Sequence, residues 1–341
     1  MSAHYASPER VAPLRELLAV PRRIAITTHY NPDGDAMGSS LGLAGVLKAM
    51  GHTVHVVPPN TPPPNLHWLP GHADILPHDK MPAQALQAMA DAEIVFALDF
   101  NRTDRVHELE AALKAAPLKV LIDHHRDPED FAQLTFSDHD VCSTCEMVYD
   151  IVEALGAASS IDRDAATCLL TGIITDTGSF RYPSTTPHTL RVAAALMEHG
   201  ISTETIHHAV MDDNSEERMR LLGFTLHERL TVLPELGTAI IRLSVDDLQR
   251  FNYKPGDTEG FVNQGLAIQG VRLAAFFLER PNEVKLSLRS KGALPVDQLA
   301  RAHFAGGGHR NASGGRGTDG LDNMVKRFMQ VLPDFIAQHP A

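Results

Sequence analysis

The segment Thr28-His29-Tyr30-Asn31-Pro32-Asp33-Gly34-Asp35 sets one imidazole and two carboxylates within seven residues, directly after the apolar run Ile24-Ala25-Ile26. Two later islands share its character: Leu121-Ile122-Asp123-His124-His125 and Gly172-Ile173-Ile174-Thr175-Asp176. Short hydrophobic runs ending in Asp or His look like strands delivering ligands to one point, and Asp99 closes another such run. His29, Asp33, Asp35, Asp99, His124 and Asp176 together offer four carboxylates and two imidazoles. Oxygen and imidazole donors suit Mn, Fe, Co or Zn; pure Mg sites usually avoid histidine. Two ions about 3.5–4 Å apart need a bridging carboxylate and roughly three protein ligands each. Asp99, midway in order, is read as the bridge. His29 and Asp33 then complete one site, and Asp35, His124 and Asp176 the other. Burying so many carboxylates without cations would cost several kcal/mol per group or force protonation. Asp123 is better suited to hold a histidine ring than to bind metal. The chemistry implied is metal-dependent hydrolysis of phosphate esters.

Two of these segments have alternatives. Gly34 lets Asp33 and Asp35 aim at adjacent cations from a loop, but the same residues can form an Asx turn capping the next helix. Asp123 to His125 can be a surface turn, since Arg126-Asp127-Pro128 follows.

These ligands need a scaffold, and the first half alternates strand-like with helix-like stretches. Strands are predicted at Arg22 to Thr28, His52 to Val57, Ile94 to Leu98 and Lys119 to Ile122. Helices are predicted at Asp35 to Met50, Arg105 to Ala115, Cys145 to Leu155, Arg163 to Ile174 and Thr189 to His199. Pro58 to Pro64 is a proline-rich loop. The alternation argues for an α/β domain with a mostly parallel sheet flanked by helices. Such sheets gather ligands beyond the carboxyl ends of their strands, where His29, Asp99 and Asp123 fall. After about residue 200 the composition changes. A polar-apolar segment from Thr203 to Leu230 begins with a linker helix. Strands at Thr238 to Leu243, Val271 to Leu278 and Val284 to Leu288 follow, with helices at Pro295 to Phe304 and Asp322 to Val331. They describe a smaller mixed-sheet α/β unit that includes the glycine-rich stretch Gly306 to Gly317. The expected division is 1–200 for a catalytic metal-binding domain, 201–215 for a helical linker and 216–341 for a substrate-binding domain. Pro340-Ala341 is expected to fray.

The bulk numbers narrow the partners. At 341 residues the chain is long enough for two domains. A net charge of -12, from 30 basic against 42 acidic residues, argues against coating long duplex DNA. A short anionic substrate remains compatible, because cations and a few arginines can make one cleft attractive. No run reaches the roughly 18 apolar residues of a membrane span. The charged N-terminus, with Glu9, Arg10, Arg15 and Glu16, does not resemble a signal peptide, so a cytoplasmic place away from membranes is the simplest reading. Three cysteines cannot form a fully paired disulfide framework. Cys142 and Cys145 are read as flanking a helix start, Ser143-Thr144 with Glu146, in preference to a redox pair.

The metal segments resemble the DHH phosphoesterase superfamily, with Asp123-His124-His125 as its naming motif. The His29-to-Asp35, Asp99 and Thr175-Asp176-Thr177-Gly178 segments resemble its other metal motifs, and the second half resembles the DHHA1 substrate-binding domain. Within the superfamily the chain is similar, over nearly its whole length, to the NrnA-type oligoribonuclease and pAp phosphatase group. The resemblance implies two metals, usually manganese, on His29, Asp33, Asp35, Asp99, His124 and Asp176. It gives His125 a part in positioning the scissile phosphate. It also sets Gly306-Gly307-Gly308-His309 opposite the metals across a cleft, where backbone N–H groups can meet phosphate. Arg289, closing Ser287-Leu288-Arg289, has a fork that can clamp a terminal phosphate. Asn311 and Ser313 continue the pattern as weaker candidates. Arg105 resembles a family arginine near the cleft, with a helix-end salt bridge as the alternative. Arg181-Tyr182 either closes the cleft floor or packs a turn. His207-His208 are read as a solvated or interface face, and Trp68 as a packed anchor in preference to a base-stacking residue.

The function expected is hydrolysis of very short RNA or DNA, of about two to five nucleotides given the missing basic stripe, and of 3′-phosphoadenosine 5′-phosphate (pAp) to AMP. Catalysis would fall to His125, Asp123, Arg289 and His309. Rivals are a linear or cyclic dinucleotide phosphodiesterase, a manganese pyrophosphatase, a RecJ-like exonuclease and a non-enzymatic nucleotide-binding regulator. The pyrophosphatase is disfavoured because Gly306 to His309 stands where a lysine-rich clamp is expected. A homodimer is an expectation from the apolar side of the first-domain helices and from family habit.

Overall fold

Three apolar runs, Ile24 to Thr28, Ile94 to Leu98 and Lys119 to Asp123, are buried along their whole length, as strands covered on both faces must be. In the computed structural model, which describes residues 4–340, they are neighbours in a five-stranded parallel sheet. Its strands are β1 (Arg23–Thr28), β2 (Thr53–Val56), β3 (Ile94–Leu98), β4 (Lys119–Asp123) and β5 (Leu134–Ser137), in the order β2-β1-β3-β4-β5. Helices α1 (Pro8–Leu17), α2 (Gly34–Ala49), α3 (Pro82–Asp91), α4 (Glu110–Ala115), α5 (Thr144–Leu155), α6 (Arg163–Asp176) and α7 (Pro187–Met197) accompany it. One core lies between the sheet and α1, α2, α5 and α6, and a second lies under α3 and α4.

Register explains why the ligands converge. Thr28 pairs with Leu98, and Leu98 with Ile122. The residues that follow, His29, Asp99 and Asp123-His124, therefore leave the sheet side by side, one strand spacing apart. Asp99 leaves with φ +66°, a left-handed conformation that Asp tolerates better than most residues.

Asp176 arrives differently. The helix predicted over Arg163 to Ile174 forms as α6 and runs on to Asp176, its last residue, so the opening likeness to a strand end does not hold there. That helix is drawn onto α2 by a face of glycines, 34, 38 and 42, spaced one turn apart. A Cβ on Gly38 would lie 2.5 Å from the Cys168 carbonyl oxygen, and one on Gly42 would lie 2.7 Å from the Leu169 side chain. Gly38→Val should cost at least about 1–3 kcal/mol from overpacking and lift α6 with its aspartate. Urea unfolding and divalent-metal titration should register both losses; unchanged metal affinity with wild-type stability would refute this tight packing.

The helical linker runs through α8 (Thr203–His207) into a π turn at His208–Asp212. The chain divides between Asp213 and Asn214, after which α9 (Glu216–Glu228) belongs to the second unit, with Leu221 in its core. That unit is a mixed six-stranded sheet. Its strands are β6 (Leu230–Leu233), β7 (Thr238–Leu243), β8 (Leu273–Glu279), β9 (Val284–Ser290), β10 (Gly307–His309) and β11 (Ala312–Gly317), ordered β10-β11-β9-β8-β7-β6. Only the β7–β8 pairing is parallel among the described residues. Leu273, Ala275 and Phe277 face α12 (Val296–His303) and α13 (Leu321–Gln338). Ala274 and Phe276 face the other way, toward α9, α10 (Val245–Arg250) and α11 (Phe261–Leu266). The α/β architecture is thus as predicted, with a first sheet that is wholly parallel.

Several stretches depart from expectation. Residues 105–115 are not one helix: a 3-10 segment, Thr103–Leu109, is broken at His107 (φ 47°, ψ -117°) before α4 begins. The glycine-rich stretch folds as the β10–β11 hairpin. Strands β5 and β6 and helices α1, α3, α10 and α11 fall outside the predicted elements. Ala341, expected to fray, lies outside the described residues.

Candidate metal centre

The turn after β1 begins the site. Asp33 caps α2 through Oδ1, which accepts from the Asp35 and Ala36 amides at 3.0 and 3.1 Å. Its Oδ2 lies 3.9 Å from His29 Nε2. Capping and ligand presentation are therefore done by the two oxygens of one carboxylate. Asp35 is almost fully buried, and it accepts from the Thr144 and Cys145 amides at 2.7 and 2.9 Å. It sits at the N-terminus of α5, where backbone N–H groups and the helix dipole favour a carboxylate.

Asp99 stands at the middle, 2% exposed. Its Oδ2 is 3.5 Å from His29 Nε2, and its Oδ1 is 3.5 Å from His124 Nε2. His124 Nε2 is also 3.8 Å from Asp35 and 3.5 Å from Asp176. Two groups result, His29-Asp33-Asp99 and Asp35-His124-Asp176, each with its donor atoms within 4.8 Å of one another. The spacing leaves room for cations among the atoms. Both histidines are oriented for such use: His29 Nδ1 lies 3.0 Å from the Tyr30 carbonyl and His124 Nδ1 3.3 Å from that of Val141. A carbonyl can only accept, so Nδ1 carries the proton and the Nε2 lone pair faces the carboxylates. Four carboxylates and two such imidazoles make a donor set suited to divalent metal.

Asp123 is fully buried and holds His125, Oδ1 to Nδ1, at 2.7 Å. Among the described residues its Oδ2 has no hydrogen-bond partner, an unusual cost for a buried oxygen.

The electrostatics describe a site short of positive charge. Burial, then the Asp99 and Asp176 charges, push the Asp35 carboxyl well above the ordinary range. Burial, opposed by the nearby His124 and helped by the Asp33 and Asp99 charges, raises Asp176 to about 7. Burial would also raise Asp99, but hydrogen bonds from His124 and His29 prevail and hold it well below the usual value. Burial opposes protonation of His29 and His124, yet their carboxylate neighbours raise both.

Some contributors carried little sequence signal. Thr144, anticipated as part of a helix start, also donates its hydroxyl to Asp99 Oδ1 at 3.0 Å. Ser143 provides the expected cap. Cys142, Cys145 and Cys168 are buried and unpaired in disulfides, and burial pushes their thiols up. That opposes thiolate formation, on which redox reactivity depends. His207 is not merely solvated: its Nε2 lies 2.6 Å from the Ser179 hydroxyl. It steadies the turn behind Asp176, where Gly178, Ser179 and Phe180 all have positive φ. His208 is exposed. Arg181 closes the same turn onto the Gly178 carbonyl at 2.7 Å, and Trp68 packs against the first core. The Arg105 side chain makes no salt bridge among the described residues, but its charge is felt at His29.

In the second unit, Arg289 lies on β9 and His309 on β10. Gly306 and Gly308 serve the hairpin itself: a Cβ would lie 2.0 Å from the Gly314 carbonyl oxygen and 2.7 Å from that of Ala312, respectively. Asn311 donates to Ser290 Oγ and the Gly292 carbonyl, both at 2.9 Å. Ser313 donates to the His309 carbonyl at 2.8 Å. Both side chains thus brace the hairpin and its neighbouring turn.

Residues 23–173 match the model of the DHH family, N-terminal domain, and residues 237–338 that of the DHHA1 domain. The chain is 33% identical over 323 residues to the bifunctional oligoribonuclease and PAP phosphatase NrnA of Thermus thermophilus, covering 93% of this chain and 91% of that protein. It is 24% identical to the cyclic-di-AMP phosphodiesterase PdeA of Listeria monocytogenes, covering 87% of this chain but only 45% of PdeA. A crystal structure of an exopolyphosphatase-related protein from Bacteroides fragilis superposes with a TM-score of 0.95 at 36% identity, covering 98% of this chain and 99% of that one. RecJ of Thermus thermophilus, at 15% identity and a TM-score of 0.53 over 56% of its chain, shares the fold.

Proposed function

We propose a function from the premise those likenesses establish: this chain belongs to the DHH–DHHA1 family and, within it, to the NrnA-type group. It is a metal-dependent phosphoesterase acting on small nucleotides. Its substrates in our reading are very short oligonucleotides, cleaved to mononucleotides, and pAp, cleaved to AMP. One observation carries the reading: the Asp99 carboxylate turns one oxygen to His29 and the other to His124, the arrangement a bridging ligand requires.

We assign His29, Asp33 and Asp99 to one divalent cation and Asp35, His124, Asp176 and Asp99 to the other, with Mn2+ favoured by the donor types. When bound, such a pair supplies Lewis acidity toward a water nucleophile and neutralises charge on the phosphate. The chain's own groups do the rest. Asp123 fixes the His125 ring through Nδ1, so that His125 can donate to a nonbridging phosphate oxygen. Thr144 and the α5 amides keep Asp99 and Asp35 from turning away. Residues 1–200 are assigned to this chemistry and 216–341, beyond the 201–215 linker, to substrate recognition. There Arg289, His309 and the Gly306 to Gly308 backbone receive a terminal phosphate, while Asn311 and Ser313 support that hairpin.

The test is a time course on labelled RNAs of two, five, ten and twenty-four nucleotides, with pAp and pyrophosphate alongside. Dinucleotide and pAp should be consumed fastest. Arg289→Ala should lower kcat/KM on the dinucleotide roughly ten- to a hundredfold, the loss of one charge-assisted contact of about 1.5–3 kcal/mol, with metal content unchanged. Rapid pyrophosphate hydrolysis with inert RNA would overturn the substrate assignment. Equal rates at every RNA length would remove the phosphate clamp and leave the nuclease.

A further inference from the structure

Tyr30 directly follows His29, yet it does not point into a core: it is 38% exposed. Its ring lies on the imidazole of His107, with centroids 4.1 Å apart and planes 11° from parallel. Such a stack covers one face of the phenol and directs the exposed area to the other face and the edge. The platform is held from below at a cost. His107 sits at φ 47°, ψ -117°, outside the regions open to an ordinary side chain. Asn31, next to Tyr30, has φ 57°. Strain of this kind persists only where surrounding contacts impose it, and it gathers at ligand sites. The contacts are visible: the Tyr30 amide donates to the Arg105 carbonyl at 2.8 Å, and the Asn31 amide donates to Asn60 Oδ1 at 2.6 Å.

A flat, pre-ordered aromatic face beside a phosphate-ester site has an evident complement in a planar heterocycle. We propose that Tyr30, backed by His107, is a stacking platform for a nucleobase of the substrate and so selects nucleotides over base-free phosphates. The proposal rests on the functional reading above and deepens it. Tyr30 is the residue next to His29, with Cα atoms about 3.8 Å apart, so the platform is built on the same turn that presents the candidate metal ligands. Stacking on one ring is tolerant of base identity, because every base has a π-face. The platform therefore favours a base of any kind.

Binding tests this without relying on turnover. Affinities of AMP and ribose 5-phosphate are measured by calorimetry for wild type, Tyr30→Ala, Tyr30→Phe and His107→Ala, each checked for wild-type metal content. Wild type should prefer AMP by about tenfold, a typical worth for one stacked base. Tyr30→Ala should bind both ligands alike by losing affinity for AMP alone. Tyr30→Phe should keep the preference, and His107→Ala should weaken it partly. A general loss of structure would instead depress both ligands equally. Equal affinity of wild type for the two ligands, or a preference that survives Tyr30→Ala, overturns the platform. A preference lost in Tyr30→Ala, with no dinucleotide cleaved by wild type, upholds the platform and removes the nuclease reading. In a kinetic arm, Tyr30→Ala should raise KM for the dinucleotide about tenfold with kcat held. It should leave KM unchanged for the monoabasic analogue that lacks the stacked base. An equal rise on both monoabasic analogues would also count against stacking.

Discussion

Asp99→Asn is expected to reduce kcat/KM on a dinucleotide at least about a thousandfold, or roughly 4 kcal/mol of transition-state stabilisation. Both oxygens of Asp99 are committed, one toward His29, the other toward His124 and the Thr144 hydroxyl. An amide replaces one of them with a donor and removes the charge from both. The ionised form is the native one, because His124 and His29 hold this carboxyl well below the usual range despite burial. The substitution therefore changes charge without changing shape. The backbone should tolerate it, since φ +66° at this position is open to Asn as to Asp. Elemental analysis should find less than the full complement of metal, with an unaltered circular dichroism spectrum. A variant that keeps two metals per chain and normal turnover would show that the bridge lies elsewhere.

The contrast between Asp99 and Asp176 marks how far the sequence could be read. Strand ends are local events. Ile94 to Leu98 announces a buried strand by its side chains alone, and the residue after it must emerge at the sheet's carboxyl edge. That three such ends lie level depends on register, which the parallel order β1-β3-β4 supplies. Asp176 follows an equally apolar run, but its neighbours Gly172 and Thr175 belong to a helix, and its delivery depends on the glycine face of α2. The spacing of residues 34, 38 and 42 was on view in the sequence, although close helix contact is only one of its meanings. Asp35 shows another limit. Its amide partners come from α5, more than a hundred residues away, and backbone donors leave no trace in side-chain composition. The β10–β11 hairpin was hidden for a related reason: glycine carries no strand propensity, and these glycines are required by close backbone approach. His107 is the clearest case. Helical periodicity ran straight through it, and the break appears only where its ring is turned under Tyr30.

Removing divalent metal with a chelator should bring phosphoesterase activity to background, and Mn2+ should restore it. The same experiment read as thermal stability carries a pH signature. In the metal-free chain, Asp176 has a folded-state pKa raised to about 7, against an ordinary value near 4. The folded state then binds that proton more tightly than the unfolded state does. Its stabilising contribution is complete below about pH 4 and is lost as pH rises through about 7. Asp35 is shifted in the same direction. His29 and His124 are raised as well, so their contribution is complete below about 6.5 and falls as pH passes their folded values. Asp99 runs the opposite way, but its window lies below the ordinary carboxylate range and does not enter between pH 5.5 and 8. The metal-free protein should therefore lose Tm across that interval. Cations must displace the same protons, so their affinity rises with pH. The Tm gain on adding Mn2+ should accordingly be small at pH 5.5 and largest at pH 8, and Asp99→Asn should flatten the difference. A gain independent of pH, or one equally large in Asp99→Asn, would mean that the stabilising cation binds away from these six side chains.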